Sequence, residues 1–66
     1  SDNDITFILR EKDLEEKEVR QWEAQYDPDP DKRMPMDIFK RLNEKLRKEK
    51  EDVKKALCEA YESHLP

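Results

Sequence analysis

The sequence DPDPDKRMP occupies residues 27–35 and separates two long charged segments in a chain that contains no glycine. A proline fixes its own φ, lacks a backbone donor, and pushes the preceding residue out of the helical region. The prolines at 28, 30 and 35 therefore end one helix and begin the next. This predicts an all-α fold, an antiparallel two-helix coiled-coil hairpin with a stiff corner.

The bounds of the two helices follow from capping residues and prolines. The first helix is expected over about residues 3–26, because Asp2, Asn3 or Asp4 can cap its exposed N–H groups. The corner then covers about residues 27–34. Pro35 suits the first turn of the second helix, which is expected to run over about residues 35–63. The whole chain forms a single unit.

The composition leaves room for only a thin core. Of the 66 residues, 48% are charged and 33% are hydrophobic. Chains this short rarely gain more than ~3–5 kcal/mol from a single core, and neither disulfides nor a metal motif can help here. We therefore expect a piece of a larger protein, or a hairpin that dimerises into a four-helix bundle.

Charge and composition also limit the compartment and the partners. The net charge is −4 and the isoelectric point is near 5.0, so the chain has no general electrostatic attraction for the phosphate backbones of nucleic acids. The single cysteine, Cys58, indicates a reducing compartment. No apolar run approaches the roughly 20 residues that span a bilayer. These features predict a cytoplasmic protein without membrane or direct nucleic-acid contacts.

Apolar residues recur in both segments with the alternating steps of three and four that are typical of coiled coils. The rhythm is interrupted by Lys12 and Glu15 in the first helix and by Glu49 in the second. In an antiparallel pair the numbers of facing residues sum to a nearly constant value, here about 61, which places Lys12 opposite Glu49 as a register pair. The predicted seam consists of Ile5, Ile8, Val19, Trp22, Tyr26, Phe39, Leu42, Leu46, Val53, Ala56 and Ala60.

A second group of apolar residues does not fit this seam. It could widen the core, since apolar stripes commonly broaden to three positions per heptad, or it could form a docking face for another chain or for the parent protein. The sequence leaves both alternatives open. The candidate interface consists of Phe7, Leu9, Leu14, Leu57, Tyr61 and Leu65 near the open end, with Met34, Met36 and Ile38 at the corner.

The chain offers no recognisable catalytic or metal-binding motif. Cys58 and His64 are six residues apart on one helix and lie on different faces, and no partners complete a zinc site. The aspartates at 27, 29 and 31 match the start of a calcium loop, but Lys32 and Ile38 replace its required glycine and glutamate. We expect a non-catalytic chain without cofactor or metal.

The corner and the second helix contain a recognisable sequence pattern. It consists of Trp22-Glu23, Asp27-Pro28-Asp29-Pro30, Lys32-Arg33-Met34-Pro35, Ile38-Phe39, residues 42–46, 49–51, Ala56-Leu57-Cys58 and residues 60–63. This pattern resembles a segment of the large serine recombinases, the integrase- and transposase-type site-specific recombinases of bacterial mobile elements. The resemblance covers about two-thirds of the chain, and the proline corner is its most specific part.

The resemblance implies a part within a larger enzyme. Such recombinases have an N-terminal catalytic domain with a serine nucleophile, then DNA-binding domains, the last usually with a zinc ribbon from which a coiled-coil arm projects. None of the catalytic or zinc residues has a counterpart here, so only the arm carries over. The resemblance implies a bacterial, cytoplasmic protein–protein interaction arm that contacts another subunit during DNA recombination and integration. The alternatives are a generic helical-hairpin interaction or scaffold module and, disfavoured by charge, a nucleic-acid-binding hairpin.

Overall fold

The computed structural model describes residues 2–66 as two long helices joined by a compact corner. Helix α1 covers Asp2–Gln25, a short 3-10 helix covers Pro30–Lys32, and helix α2 covers Met36–Ser63. The two long helices pack against each other to form a rod with dimensions of 55 × 17 × 13 Å. The prediction of an all-α helical hairpin is confirmed, and each long helix lies within one residue of its expected bounds.

The corner is organised by its aspartates. The side chain of Asp27 accepts a hydrogen bond from the backbone N–H of Asp29 at 2.9 Å, and the side chain of Asp29 accepts one from Asp31 at 3.0 Å. Such local bonds let a short acidic side chain replace a missing backbone partner. The N–H of Met34 then donates to the carbonyl of Ala24 at 3.0 Å, which ties the chain after the corner to the end of α1.

The buried core is short and is centred on one residue of α1. Leu14 is 1% exposed and Leu46 is 2% exposed, and Val53 joins them in one cluster. Phe7 and Leu57 pack against this cluster from the open end of the hairpin. The other buried apolar residue is Phe39, near the corner. Of the predicted seam on α2, Phe39, Leu46 and Val53 are therefore buried.

The α1 half of the predicted seam is wrong by one residue. Ile5 and Ile8 are each 57% exposed, Val19 is 56% exposed and Tyr26 is 69% exposed, while Trp22 is partly covered. The face of α1 that packs on α2 is the preceding set of positions, about 100° around the helix. These positions are Asp4, Phe7, Glu11, Leu14, Glu18, Gln21 and Gln25.

The reason for this difference lies at the middle of the hairpin. The predicted face has Lys12 and Glu15 at its centre, whereas the observed face has Leu14 there. Burying a charged side chain without a well-formed partner costs far more than burying a leucine. The rotation that places Leu14 against α2 is therefore favoured, although it leaves more apolar residues of α1 in solvent.

The second apolar group divides between the two alternatives. Leu14 lies in the core and the partly buried Phe7 and Leu57 pack against it, as the alternative of a widened core predicts. The remaining members stay in contact with solvent, and Met34 is half-buried. The exposed members are Leu9, Tyr61, Leu65, Met36 and Ile38.

Neither helix within residues 2–66 combines the length and apolar character that crossing a lipid bilayer requires.

Candidate functional site

The most prominent surface feature is an exposed apolar row along α1. We call it the α1 stripe; it consists of Ile5, Ile8, Val19, Trp22 and Tyr26, with Lys12 and Glu15 between its two apolar parts. These residues follow each other at steps of three and four, so they form a continuous line on a helix. The stripe has the heptad spacing of a coiled-coil seam, yet its apolar members stay 42–69% exposed beside α2.

An aromatic cluster fixes the corner end of the stripe. The rings of Trp22 and Tyr26 are stacked, with centroids 5.5 Å apart and an interplanar angle of 3°. The ring of Phe39 meets Trp22 edge to face at 5.0 Å and 68°. Both arrangements are favourable for aromatic pairs, and the buried Phe39 holds the cluster against α2. Trp22 is thus held in place although 42% of it is exposed.

The open end of the hairpin carries a shallow apolar depression. It is lined by Ile8 from α1 and by Leu57, Ala60 and Tyr61 from α2. Asp4 and His64 also line it, and the Nε2 atom of His64 lies 3.2 Å from Oδ2 of Asp4. This contact joins residues 60 positions apart and holds the two chain ends together.

Among residues 2–66, two Lys or Arg ion pairs cross the hairpin in addition to the contact between Asp4 and His64. Nη2 of Arg10 lies 3.1 Å from Oε2 of Glu49, and Nζ of Lys50 lies 3.0 Å from Oε2 of Glu18. The predicted pairing of Lys12 with Glu49 is therefore wrong. Lys12 is exposed, because the rotation of α1 turns it away from α2 and brings Arg10 to Glu49 instead.

A double-mutant cycle distinguishes these two pairings. We expect Arg10→Ala and Glu49→Ala to be coupled by about 0.2–1 kcal/mol of unfolding free energy, the usual range for a partly exposed ion pair. Lys12→Ala and Glu49→Ala should be additive, since the two side chains do not meet. Urea unfolding of the six proteins measures both couplings. Coupling of Glu49 to Lys12 and not to Arg10 would restore the predicted register.

Arg47, near the middle of α2, is held between two neighbouring acids. Nη2 of Arg47 lies 2.7 Å from Oε1 of Glu44, and its Nη1 lies 2.9 Å from Oε1 of Glu51. The hydrogen bond from Arg47, helped by its charge, lowers the pKa of Glu44, and the two acids in turn raise the pKa of Arg47. A surface that binds the phosphate backbone of a nucleic acid needs Lys or Arg side chains that are free to contact the phosphates. Here Arg47 is engaged on both sides.

No group of three or more His, Cys, Asp or Glu side chains in residues 2–66 is arranged to hold a metal ion. Cys58 is exposed, and its Sγ atom lies 3.5 Å from Oε1 of Glu62. This hydrogen bond, with the negative charge of Glu62, raises the pKa of the thiol. A raised pKa makes Cys58 a poor nucleophile at neutral pH.

Comparison with known proteins adds no relative. No protein-family model, curated protein or solved structure matches the chain.

The residues that the sequence analysis missed are the polar members of the α1 packing face. Gln21 is 8% exposed, and the side-chain oxygens of Gln21 and Gln25 are buried without a hydrogen-bond partner among the described residues. Their spacing from Leu14, at steps of seven and eleven, marks them as members of one face. Hydropathy alone passes over them because glutamine is polar.

Proposed function

We propose that this chain is a coiled-coil protein–protein interaction arm of a site-specific serine recombinase, which mediates contacts between subunits during DNA recombination in the bacterial cytoplasm. The observation that carries the proposal is the distribution of apolar residues. Among residues 2–66, ten large hydrophobic side chains are exposed, against four hydrophobic residues in the core. Exposed apolar residues in such numbers are typical of surfaces that meet another protein.

The shape of the hairpin supports an arm. It is 55 Å long and no more than 17 Å wide, and the contact between Asp4 and His64 brings both chain ends to the same end of the rod. A rod whose two ends lie together can project from a larger body and place its corner far from that body. The hydrogen-bonded corner keeps the far end of the rod in a defined conformation.

The assignment to a serine recombinase rests on the resemblance from Trp22 to Ser63, in which the proline corner is the most specific part. In the structure, the aspartates and prolines of that corner form the chain reversal between the two helices. The chain lacks the serine nucleophile and zinc ligands of such enzymes. The proposal therefore gives it a contact role within a catalytic parent.

The test is a deletion in the parent protein. The reading frame that contains this segment should encode a catalytic domain with a serine nucleophile upstream. Removing residues 2–66 should preserve binding of the parent to its DNA site and abolish the joining of two sites into one complex, measured by gel shift. A reading frame without such a catalytic domain, or normal site joining after the deletion, would refute the assignment.

The alternative is a helical-hairpin interaction or scaffold module unrelated to recombination. The observation in its favour is that much of the α1 stripe lies before the sequence pattern that resembles recombinases. The stripe residues concerned are Ile5, Ile8 and Val19. The same reading frame decides between the two, since a scaffold protein would carry no recombinase catalytic domain.

The isolated hairpin is expected to bind DNA weakly or not at all. Its net charge is −4 and Arg47 is held between Glu44 and Glu51, so the chain has no general electrostatic attraction for the phosphates of a duplex. A fluorescence titration with labelled duplex DNA across a salt series measures this. Micromolar binding that weakens steeply with salt would favour a nucleic-acid-binding hairpin instead.

A further inference from the structure

The centre of the α1 stripe holds two opposite charges that remain unpaired across the hairpin. Lys12 and Glu15 are both exposed, and within residues 2–66 neither has an ion-pair partner. They interrupt an otherwise apolar row, with Ile5 and Ile8 before them and Val19 and Trp22 after them. A surface that covered this row would have to supply an acid and a base in the right order.

A second copy of the same stripe, running in the opposite direction, has that order. In an antiparallel coiled coil the facing residue numbers have a constant sum, and a sum of 27 matches every stripe position from 5 to 22. It sets Ile5 against the partner's Trp22, Ile8 against the partner's Val19, and Lys12 against the partner's Glu15. Two-fold symmetry repeats each of these contacts, so both central charges are neutralised.

We propose that two copies of this chain associate through their α1 stripes as an antiparallel, two-fold symmetric pair. This inference rests on the proposed function only in assigning the hairpin to protein contact, and it names the partner as another copy. It differs from the open-end interface that the sequence left as one alternative, because Leu14 lies in the core and Phe7 and Leu57 pack against it.

Other occupants of the stripe fit less well. A parallel pair in the same register would set Lys12 against the partner's Lys12 and Glu15 against the partner's Glu15, and both contacts are repulsive. Helix α2 of another copy offers no matching row, because its exposed large apolar residues lie near its two ends. They are Met36, Ile38 and Tyr61.

The stripe is also long and ordered enough to associate. From Ile5 to Trp22 it spans about 26 Å of helix, or nearly five turns. Trp22 is held by its stacking on Tyr26 and its edge contact with Phe39, so little side-chain freedom remains to be lost on binding. Rigid aromatic anchors of this kind commonly carry much of the affinity of an interface.

Charge reversal at the centre of the stripe tests the pairing by sedimentation equilibrium. Lys12→Glu sets two acids against each other at both symmetric contacts, and Glu15→Lys sets two bases against each other. Each variant alone should dimerise about tenfold or more weakly than the original chain. An equimolar mixture of the two variants should recover the original affinity as a heterodimer, because each charge again meets its opposite.

The matched control is Lys17→Glu, which makes the same change in charge at another exposed position of α1 outside the stripe. It should leave dimerisation within twofold of the original. Circular dichroism of every variant should retain the helical signal, since all three positions are exposed. A chain that stays monomeric at millimolar concentration would overturn the pairing, while the deletion test in the parent would still decide the proposed function.

Direction and register are tested by disulfide formation. Two proteins are prepared in a Cys58→Ser background, one with Ile8→Cys and one with Val19→Cys, and mixed under mild oxidation. The antiparallel register predicts that the mixed disulfide predominates over both homodisulfides, since position 8 faces position 19 of the partner. Predominant Ile8→Cys homodisulfides would indicate a parallel pair and overturn the proposal, as would a dimer that forms no mixed disulfide.

Discussion

Replacing Leu14 by alanine is expected to unfold most of the hairpin at room temperature. Leu14 is 1% exposed and lies against Leu46 and Val53 at the middle of the rod. Truncation of a buried leucine typically costs about 2–5 kcal/mol, which includes the cavity that it leaves. A single core of this size supplies no more than ~3–5 kcal/mol in total. Thermal unfolding followed by circular dichroism at 222 nm measures the loss.

Leu9→Ala is the matched control for this experiment. It makes the same chemical change on the same helix, but Leu9 is 57% exposed and contributes nothing to the core cluster. Exposed substitutions of this kind usually stay within about 0.5 kcal/mol. Equal losses for Leu14→Ala and Leu9→Ala would mean that α1 packs on α2 through another face.

Phe39→Ala is expected to destabilise the hairpin by a similar amount. Phe39 is 7% exposed and packs edge to face on Trp22 at 5.0 Å. Loss of a buried phenylalanine typically costs about 3–5 kcal/mol. Because the chain has one tryptophan, its fluorescence reports on this contact directly. The emission of Trp22 should shift to longer wavelength in the fraction of molecules that stays folded, and urea unfolding should give the lost stability.

The neighbouring substitution Ile38→Ala serves as its control. Ile38 is 38% exposed and lies outside the core cluster, so the change should cost well under half as much and leave the emission of Trp22 in place. If Ile38→Ala shifts the emission and Phe39→Ala does not, the aromatic cluster at the corner is wrongly described.

The parts of the fold that sequence reasoning could predict are those set by local chemistry. Proline geometry and the capping capacity of short acidic side chains act over a few residues, so the corner and the helix bounds could be read directly. The stripe of α2 could be read as well, because Phe39, Leu46 and Val53 belong to a single dominant apolar row.

The face of α1 could not be read in the same way. Two apolar rows lie side by side on this helix, and the exposed one has more large hydrophobic residues than the buried one. What decides between them is the middle of the hairpin, where Leu14 competes with Lys12 and Glu15 for contact with α2. This competition depends on which residues of α2 lie opposite, so counting hydrophobic residues along α1 gave the wrong row.

The candidate interface shows the same limit. The sequence could show that the apolar residues exceed what one seam can bury, but it could not tell which of them the core takes. Leu14, for which both alternatives were open, enters the core, whereas Val19, expected in the seam, remains in solvent. The register pair was lost with the same one-residue rotation, since Arg10 took the place of Lys12 beside Glu49.

The local bonding of the corner has a consequence for how the chain folds. The side-chain bonds of Asp27 and Asp29 each reach only two residues along the chain, so they can form before any contact between the helices. Closing a short loop costs little conformational entropy. Each further pair of facing residues then closes a loop only slightly longer than the one already formed. We expect the hairpin to zip from the corner outward, with Asp4 and His64 meeting last and separating first. Amide hydrogen exchange should accordingly be slowest in the turns of α1 and α2 around Leu14 and Leu46 and fastest at the open end.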